Sequence, residues 1–182
     1  MIRKMAVALM FVFCLNTMAQ SLVVFDGADK KDGKSWAGPK DTVTFDVSNA
    51  QPYNNKAALE LKAKWSNWWA GGGWNWFGWY GEGNDVSQYA NLSFYIKKSS
   101  GDLKDLGVNL VDAANKQSKR IKIIESGCIT SIGAEYAKVT IPMSKFTGDF
   151  NSKAIWGTDF GIYPKEQAGE CSLYIAQIEF GK

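Results

Sequence analysis

Residues 65 to 80 read WSNWWAGGGWNWFGWY, and this run holds six of the chain's eight tryptophans. Phe77 and Tyr80 lie among them, and no charged residue stands between Lys64 and Glu82. Such a segment offers no acid, base or nucleophile. Its chemistry is that of electron-rich ring faces with indole N–H, amide and phenol groups at their edges. A pyranose ring matches it, because a patch of axial C–H bonds stacks on an aromatic face while the rim hydroxyls take hydrogen bonds. If residues 74–80 are extended, Trp74, Trp76, Gly78 and Tyr80 share one face and Asn75, Phe77 and Trp79 the other. In a two-layer sandwich only one face of each sheet meets the core. The second aromatic face then needs a loop, a partner or a ligand over it, since a bare one invites aggregation. The plainer alternative is that the whole run is core, where a strand tryptophan usually sits. The expected ligand face carries Trp74, Trp76 and Tyr80, with Gly78 leaving room for a chain close to the sheet. Phe77 and Trp79 are expected inside. Trp68 and Trp69, on a surface loop with Ala70-Gly71-Gly72-Gly73, and Asn75 complete the expected carbohydrate-binding set.

The rest of the chain narrows the chemistry further. It contains no histidine, which excludes Ser-His-Asp and Cys-His nucleophile systems and every His-ligated zinc site. A glycoside hydrolase needs two carboxylates set about 5–5.5 Å or about 6.5–9.5 Å apart. Glu82 and Asp85 flank the aromatic run, but a turn of acids is more often solvated, and no Glu-x-Asp-x-x-Glu run occurs. The expectation is therefore a binding protein and not an enzyme. A protein-protein adhesion or assembly domain is the alternative, because interfaces also favour Trp and Tyr.

Arg3 and Lys4, the apolar run Ala6 to Leu15 and the triplet Thr17-Met18-Ala19 read as a secretory signal peptide spanning residues 1–19. The expected product, residues 20–182, is a single domain that is secreted, periplasmic or held at the cell surface. Removing Arg3 and Lys4 lowers the net charge from +3 to +1. That balance gives no electrostatic reason to expect nucleic acid, and no apolar run is long enough for a transmembrane segment. The basic cluster Lys116, Lys119, Arg120 and Lys122 reads as a solvated strand edge. Cys128 and Cys171 remain as an even pair in an oxidising compartment, and form a disulfide candidate.

The elements that position the aromatic run are strands. Ala58 to Trp65 alternates, with Leu59, Leu61, Ala63 and Trp65 on one face and Glu60, Lys62 and Lys64 on the other. Leu92 to Lys97 places Leu92, Phe94 and Ile96 inward, and Leu106 to Asp112 places Leu106, Val108 and Leu110 inward. Further strands are expected at 22–25, 42–47, 120–124, 137–141, 160–163 and 173–180, with short helical turns near 86–89 and 143–146. About nine or ten short strands without βα alternation predict an all-β sandwich or barrel.

Several stretches together resemble a known family. AALELKAKW, GGGWNWFGW, DVSQYANLSFYIKK, LGVNLVDAANK, EYAKVTIPMSKF and SLYIAQIEF follow one another across about 125 residues. In order and spacing they resemble the galactose-binding-like β-sandwich domains found as carbohydrate-binding modules, especially those similar to family 11. The resemblance implies a jelly roll of two antiparallel sheets with a glycan, such as a β-glucan polysaccharide or oligosaccharide, in a concave groove on one of them. Tyr95, which alternates out of the core face of LSFYIK, becomes a candidate groove residue. Relatives often hold a structural calcium between acids near the first strand and an Asp in the last. Here Ala176 and Gln177 stand where that Asp would be. Asp26, Asp29 and Asp32 are left to hold a calcium through loop carbonyls, and a solvated acidic turn accounts for them better, so no cofactor is expected. Such modules are usually appended to a glycoside hydrolase, and this chain shows none.

Overall fold

The computed structural model describes residues 21–27, 33–66, 68–77, 81–163 and 168–182. Eleven strands are found among them: β1 (Leu22–Phe25), β2 (Lys34–Gly38), β3 (Val43–Tyr53), β4 (Lys56–Trp65), β5 (Ala70–Asn75), β6 (Asn91–Gly101), β7 (Gly107–Asp112), β8 (Ile121–Lys122), β9 (Ala137–Pro142), β10 (Ile155–Ile162) and β11 (Gly169–Gly181). They form two antiparallel sheets. The first runs β3-β4-β11-β6-β9, with β1 also paired to β11, and the second runs β2-β5-β10-β7-β8. The architecture is the expected all-β sandwich. The signal-peptide residues 1–19 lie outside the described residues. Among the described residues no helix is long and apolar enough to cross a membrane.

Alternation builds the core between the sheets. Leu59, Leu61, Ala63 and Trp65 of β4 face inward, as do Leu92, Phe94 and Ile96 of β6. Leu106, Val108 and Leu110 come from the second sheet, with Phe160 and Ile162 of β10. Phe94 meets Phe160 edge-on across the layers, with ring centroids 5.4 Å apart. Burial of such a ring contributes on the order of 1.5–3 kcal/mol, and edge-on pairing adds somewhat more. Two expectations about elements change. Lys34–Gly38, unmarked by any apolar alternation, is the edge strand β2. Ala70 to Gly73, expected as a surface loop, is a wholly buried part of β5. Pairing on both sides, with β2 and β10, overrides the low strand propensity of three successive glycines. A 3₁₀ turn forms at Met143–Lys145, and Tyr89 N donates to Val86 O at 3.1 Å in the other expected turn.

The disulfide candidate is corrected: both cysteines are free. Cys171 lies inside β11, opposite Ala63 and Gly101, and burial pushes its thiol up to about 12. Cys128 follows β8 and places its sulfur 3.2 Å from the Ser126 hydroxyl. The native protein is therefore expected to take up one equivalent of a thiol reagent at Cys128, and the second only after unfolding. Two equivalents at equal rates in the native state would contradict this placement of Cys171.

Candidate carbohydrate-binding face on the second sheet

The register of the second sheet aligns three rows of side chains on its outer face. One row is Gly38, Gly71, Gly161 and Gly107, ending at Lys122. The next is Trp36, Gly73, Asp159 and Asn109. The third is Lys34, Asn75, Gly157 and Val111. Four neighbouring strands thus each place a glycine in one row across the sheet. Flat groups fill the trough this leaves. A Cβ on Gly38 or Gly71 would stand 3.2 or 3.1 Å from the Trp69 ring, and one on Gly161 would stand 2.6 Å from Trp69 Nε1 and 2.8 Å from Tyr163 Cε2. One on Gly107 would stand 2.2 Å from Arg120 Cδ. The glycines are there because side chains from elsewhere lie down on their backbone.

The groups lying in the trough form a continuous array. Trp36 and Trp69 stack with centroids 5.7 Å apart and planes 28° apart. Tyr163 follows Trp69 at 6.4 Å, and the Arg120 guanidinium covers the Tyr163 ring at 3.7 Å. The array crosses from β2 to the edge of β7. At about 4.8 Å per strand its length is roughly 14 Å, so it presents more than one stacking position. Trp68, 74% exposed, stands beside it in the chain.

A polar layer lies under and between these rings. Arg120 Nη2 donates to Asn109 Oδ1 at 3.3 Å, and Asn109 Nδ2 donates to Asp159 Oδ2 at 3.2 Å. Gln117 Nε2 reaches the same Asp159 oxygen at 3.3 Å. The loop that delivers Gln117 is held by buried Asp112, whose carboxylate accepts the backbone N–H groups of Ala114, Lys116 and Asn151. Burial raises the Asp159 carboxyl to about 6, although the Asn109 amide, the Trp36 indole and the Arg120 charge all favour its ionised form. Trp69 Nε1, Asn75 Oδ1 and Asp159 Oδ1 are buried without a hydrogen-bond partner. Unpaired buried polar atoms are uncommon, and these three sit in or beside one face.

Trp69 lies in the array, Trp68 is the exposed residue before it in the chain, and Asn75 is on the same outer face, its side chain over Gly157. Trp74 and Trp76 are not, and their assignment to the ligand face is corrected. Trp74 is 3% exposed, packs edge-on against Phe25 at 5.2 Å, and donates its indole N–H to Val24 O at 3.0 Å. Trp76, also buried, meets Phe180 and donates to Asn84 Oδ1 at 3.1 Å. The inversion arises because β5, paired between β2 and β10, turns positions 70, 72 and 74 toward the core and 71, 73 and 75 outward. Tyr80, with Gly78 and Trp79, lies outside the described residues. Tyr95 leaves the core as expected, on the outer face of the first sheet, stacked on Tyr53 at 4.3 Å beside Ala58 and Ala176. That tyrosine cluster is on the side of the sandwich away from the tryptophan array.

Sequence reasoning missed Trp36, Tyr163, Arg120, Asp159, Asn109 and Gln117 as site residues. One signal was present: glycines 71 and 73 in one strand, and 157 and 161 in another, stand an even number of residues apart. Glycines so spaced share one face of a strand and clear it. Of the basic cluster, Lys116 pairs with Asp149 and Lys122 with Glu125, each at 2.6 Å, while Arg120 joins the array. Of the acids named for a structural calcium, one is described. Lys56 Nζ lies 3.5 Å from Asp26 Oδ2, and Asp29 and Asp32 lie outside the described residues.

The fold is shared with known carbohydrate-binding modules. The structure is similar to the family 30 carbohydrate-binding module of the cellulosomal cellulase Cel9D-Cel44B of Clostridium thermocellum, with 18% identity and a TM-score of 0.66 over 88% of this chain and 96% of that one. It is similar to the family 11 module from Clostridium thermocellum solved with a β-1,3-1,4-mixed-linked tetrasaccharide, with 13% identity and a TM-score of 0.59 over 88% and 94%. It is also similar to a family 28 module described as specific for non-crystalline cellulose, with 13% identity and a TM-score of 0.53 over 90% and 95%. No curated protein matches the chain. The model of carbohydrate binding domain 30 matches residues 21–182, and the chain belongs to that family of carbohydrate-binding modules.

Proposed function

We propose that the outer face of the second sheet binds a polysaccharide of the β-glucan type, with sugar rings stacked along Trp36, Trp69 and Tyr163, and that the protein is exported and does not hydrolyse what it holds. The observation that carries this reading is the glycine row with the flat array lying in it. A row of four glycines across four strands does little for stability, since each costs strand entropy; seating a continuous stacking surface gives it a purpose. Buried amide and indole groups beside the rings suit the hydroxyl rim of a sugar chain. The mixed-linked tetrasaccharide in the family 11 structure and the cellulose of the family 28 description support a β-glucan as ligand.

The face is poorly furnished for hydrolysis. Among the described strand positions on it, Asp159 is the one carboxylate, where cleavage of a glycosidic bond needs two. Asp85 is occupied by the Ser87 N–H and hydroxyl, at 2.9 and 2.6 Å, in a local turn.

Affinity electrophoresis against soluble mixed-linked β-glucan, hydroxyethyl cellulose, xylan, mannan and galactan tests the reading. At least one β-glucan is expected to retard the protein and change its Trp emission, without release of reducing ends. Trp69→Ala should lose about 1–3 kcal/mol of binding, the worth of one stacked aromatic. Retardation by none of the five would overturn the reading and favour a protein partner.

A further inference from the structure

Beneath the stacking array lies an acid that stacking leaves unused. Asp159 is 5% exposed, and its Oδ2 already accepts two amide N–H groups, from Asn109 and Gln117. Arg120 holds Asn109 Oδ1, which turns the Asn109 nitrogen toward the acid. Oδ1 of Asp159 accepts no aligned hydrogen bond. It lies over Gly73 beside the Trp36 indole nitrogen: a Cβ on Gly73 would stand 2.3 Å from each.

We infer that Asp159 is a positioning residue for Trp36: its carboxylate attracts the indole N–H and holds the ring in the array, and its protonated form releases the ring, so that glycan binding weakens in acid. The inference rests on the reading of this face as the glycan site. Its direction follows from hydrogen-bond polarity. With Oδ2 facing two donors, an added proton goes to Oδ1. There it sets an O–H against the Trp36 N–H, and two donors meet where an acceptor and a donor had met.

The surroundings leave Asp159 as the group that titrates. Charged or titratable neighbours facing it are Arg120, from the segment before β8, and Tyr163, at the end of β10. Trp36 of β2, Gly73 of β5 and Asn109 of β7 do not ionise. Burial keeps the Tyr163 phenol above its ordinary value, so it stays neutral, and an arginine remains a cation throughout. Burial pushes the Asp159 carboxyl up to about 6. If the carboxylate form alone holds the array, affinity at pH 5 is about tenfold lower than at pH 7.5.

The test is the affinity for soluble mixed-linked β-glucan at pH 7.5 and pH 5 for the wild type, Asp159→Asn, Trp36→Phe and the double variant, with melting checked at both pH values. Trp emission of the ligand-free proteins is titrated over the same range. The wild type should lose about tenfold and show an emission midpoint near 6. In Asp159→Asn the amide oxygen takes the two amide donors and turns its NH2 toward Trp36. This variant should bind weakly and equally at both pH values. Trp36→Phe keeps a ring and removes the N–H, so it should bind less tightly, without pH dependence and without the emission midpoint. In the Trp36→Phe background, Asp159→Asn should cost almost nothing, whereas a purely structural acid would cost the same in both backgrounds. A folded wild type with equal affinity at both pH values would sink the inference, as would a full cost of Asp159→Asn in the double variant. If β-glucan is not bound even at pH 7.5, the reading of the face fails, and the emission titration alone decides whether Asp159 governs Trp36.

Discussion

Trp74→Ala is expected to destabilise the protein by about 3–5 kcal/mol, the usual cost of emptying a core aromatic site. Trp74 is 3% exposed and packs on Phe25. Its indole N–H caps the carbonyl of Val24, so truncation also strands a buried acceptor. For a chain of this size each kcal/mol shifts Tm by roughly 2–4 °C; the expected fall is therefore about 6–20 °C. Trp69→Ala should do the reverse, keeping Tm within a few degrees while losing stacking energy. The two tryptophans are five residues apart in one aromatic run, yet they belong to opposite faces of the second sheet. Thermal unfolding of both variants, followed by gel retardation of whichever remains folded, measures the contrast. A stable Trp74→Ala protein that has lost binding would place the ligand face on the wrong side of β5.

Gly161→Val is expected to abolish detectable retardation while the sandwich stays folded. The new Cβ would stand 2.6 Å from Trp69 Nε1 and 2.8 Å from Tyr163 Cε2. Both are side-chain atoms, so the rings can move and the strand need not. Moving them breaks the array between Trp36 and Arg120 at its centre. The loss should exceed that of Trp69→Ala, because two stacking positions go at once, each worth about 1–3 kcal/mol. Gly71 is a different case. Its Cβ would stand 2.3 Å from the Phe160 carbonyl oxygen, which is backbone in the neighbouring strand, so Gly71→Val should cost stability as well as binding. Circular dichroism and Tm separate the two variants. Unchanged retardation of a folded Gly161→Val protein would show that the trough does not seat the ligand platform.

The aromatic run, the strand periodicity and the resemblance to carbohydrate-binding modules were legible in the residues. Leu59, Leu61, Ala63 and Trp65 alternate in sequence and all four face the core, because period-two alternation is a local property that sheet pairing cannot alter. Likewise the uncharged, tryptophan-rich composition of residues 65–80 points to ring stacking whichever tryptophans do it. What sequence periodicity cannot settle is which of two aromatic faces is inside. That depends on how β5 pairs with its neighbours, since a one-residue slip of register inverts every side chain. Pairing of Ala70–Asn75 with both β2 and β10 decided it, sending Trp74 to the core and clearing the outer face at Gly71 and Gly73. Trp36, Tyr163 and Arg120 come from distant parts of the chain and meet only because antiparallel register aligns four glycines across four strands. Asp159 lies among them for the same reason. Its burial and raised pKa come from neighbours on other strands and loops. Local sequence thus set the kind of chemistry, and long-range strand register chose the residues proposed to carry it.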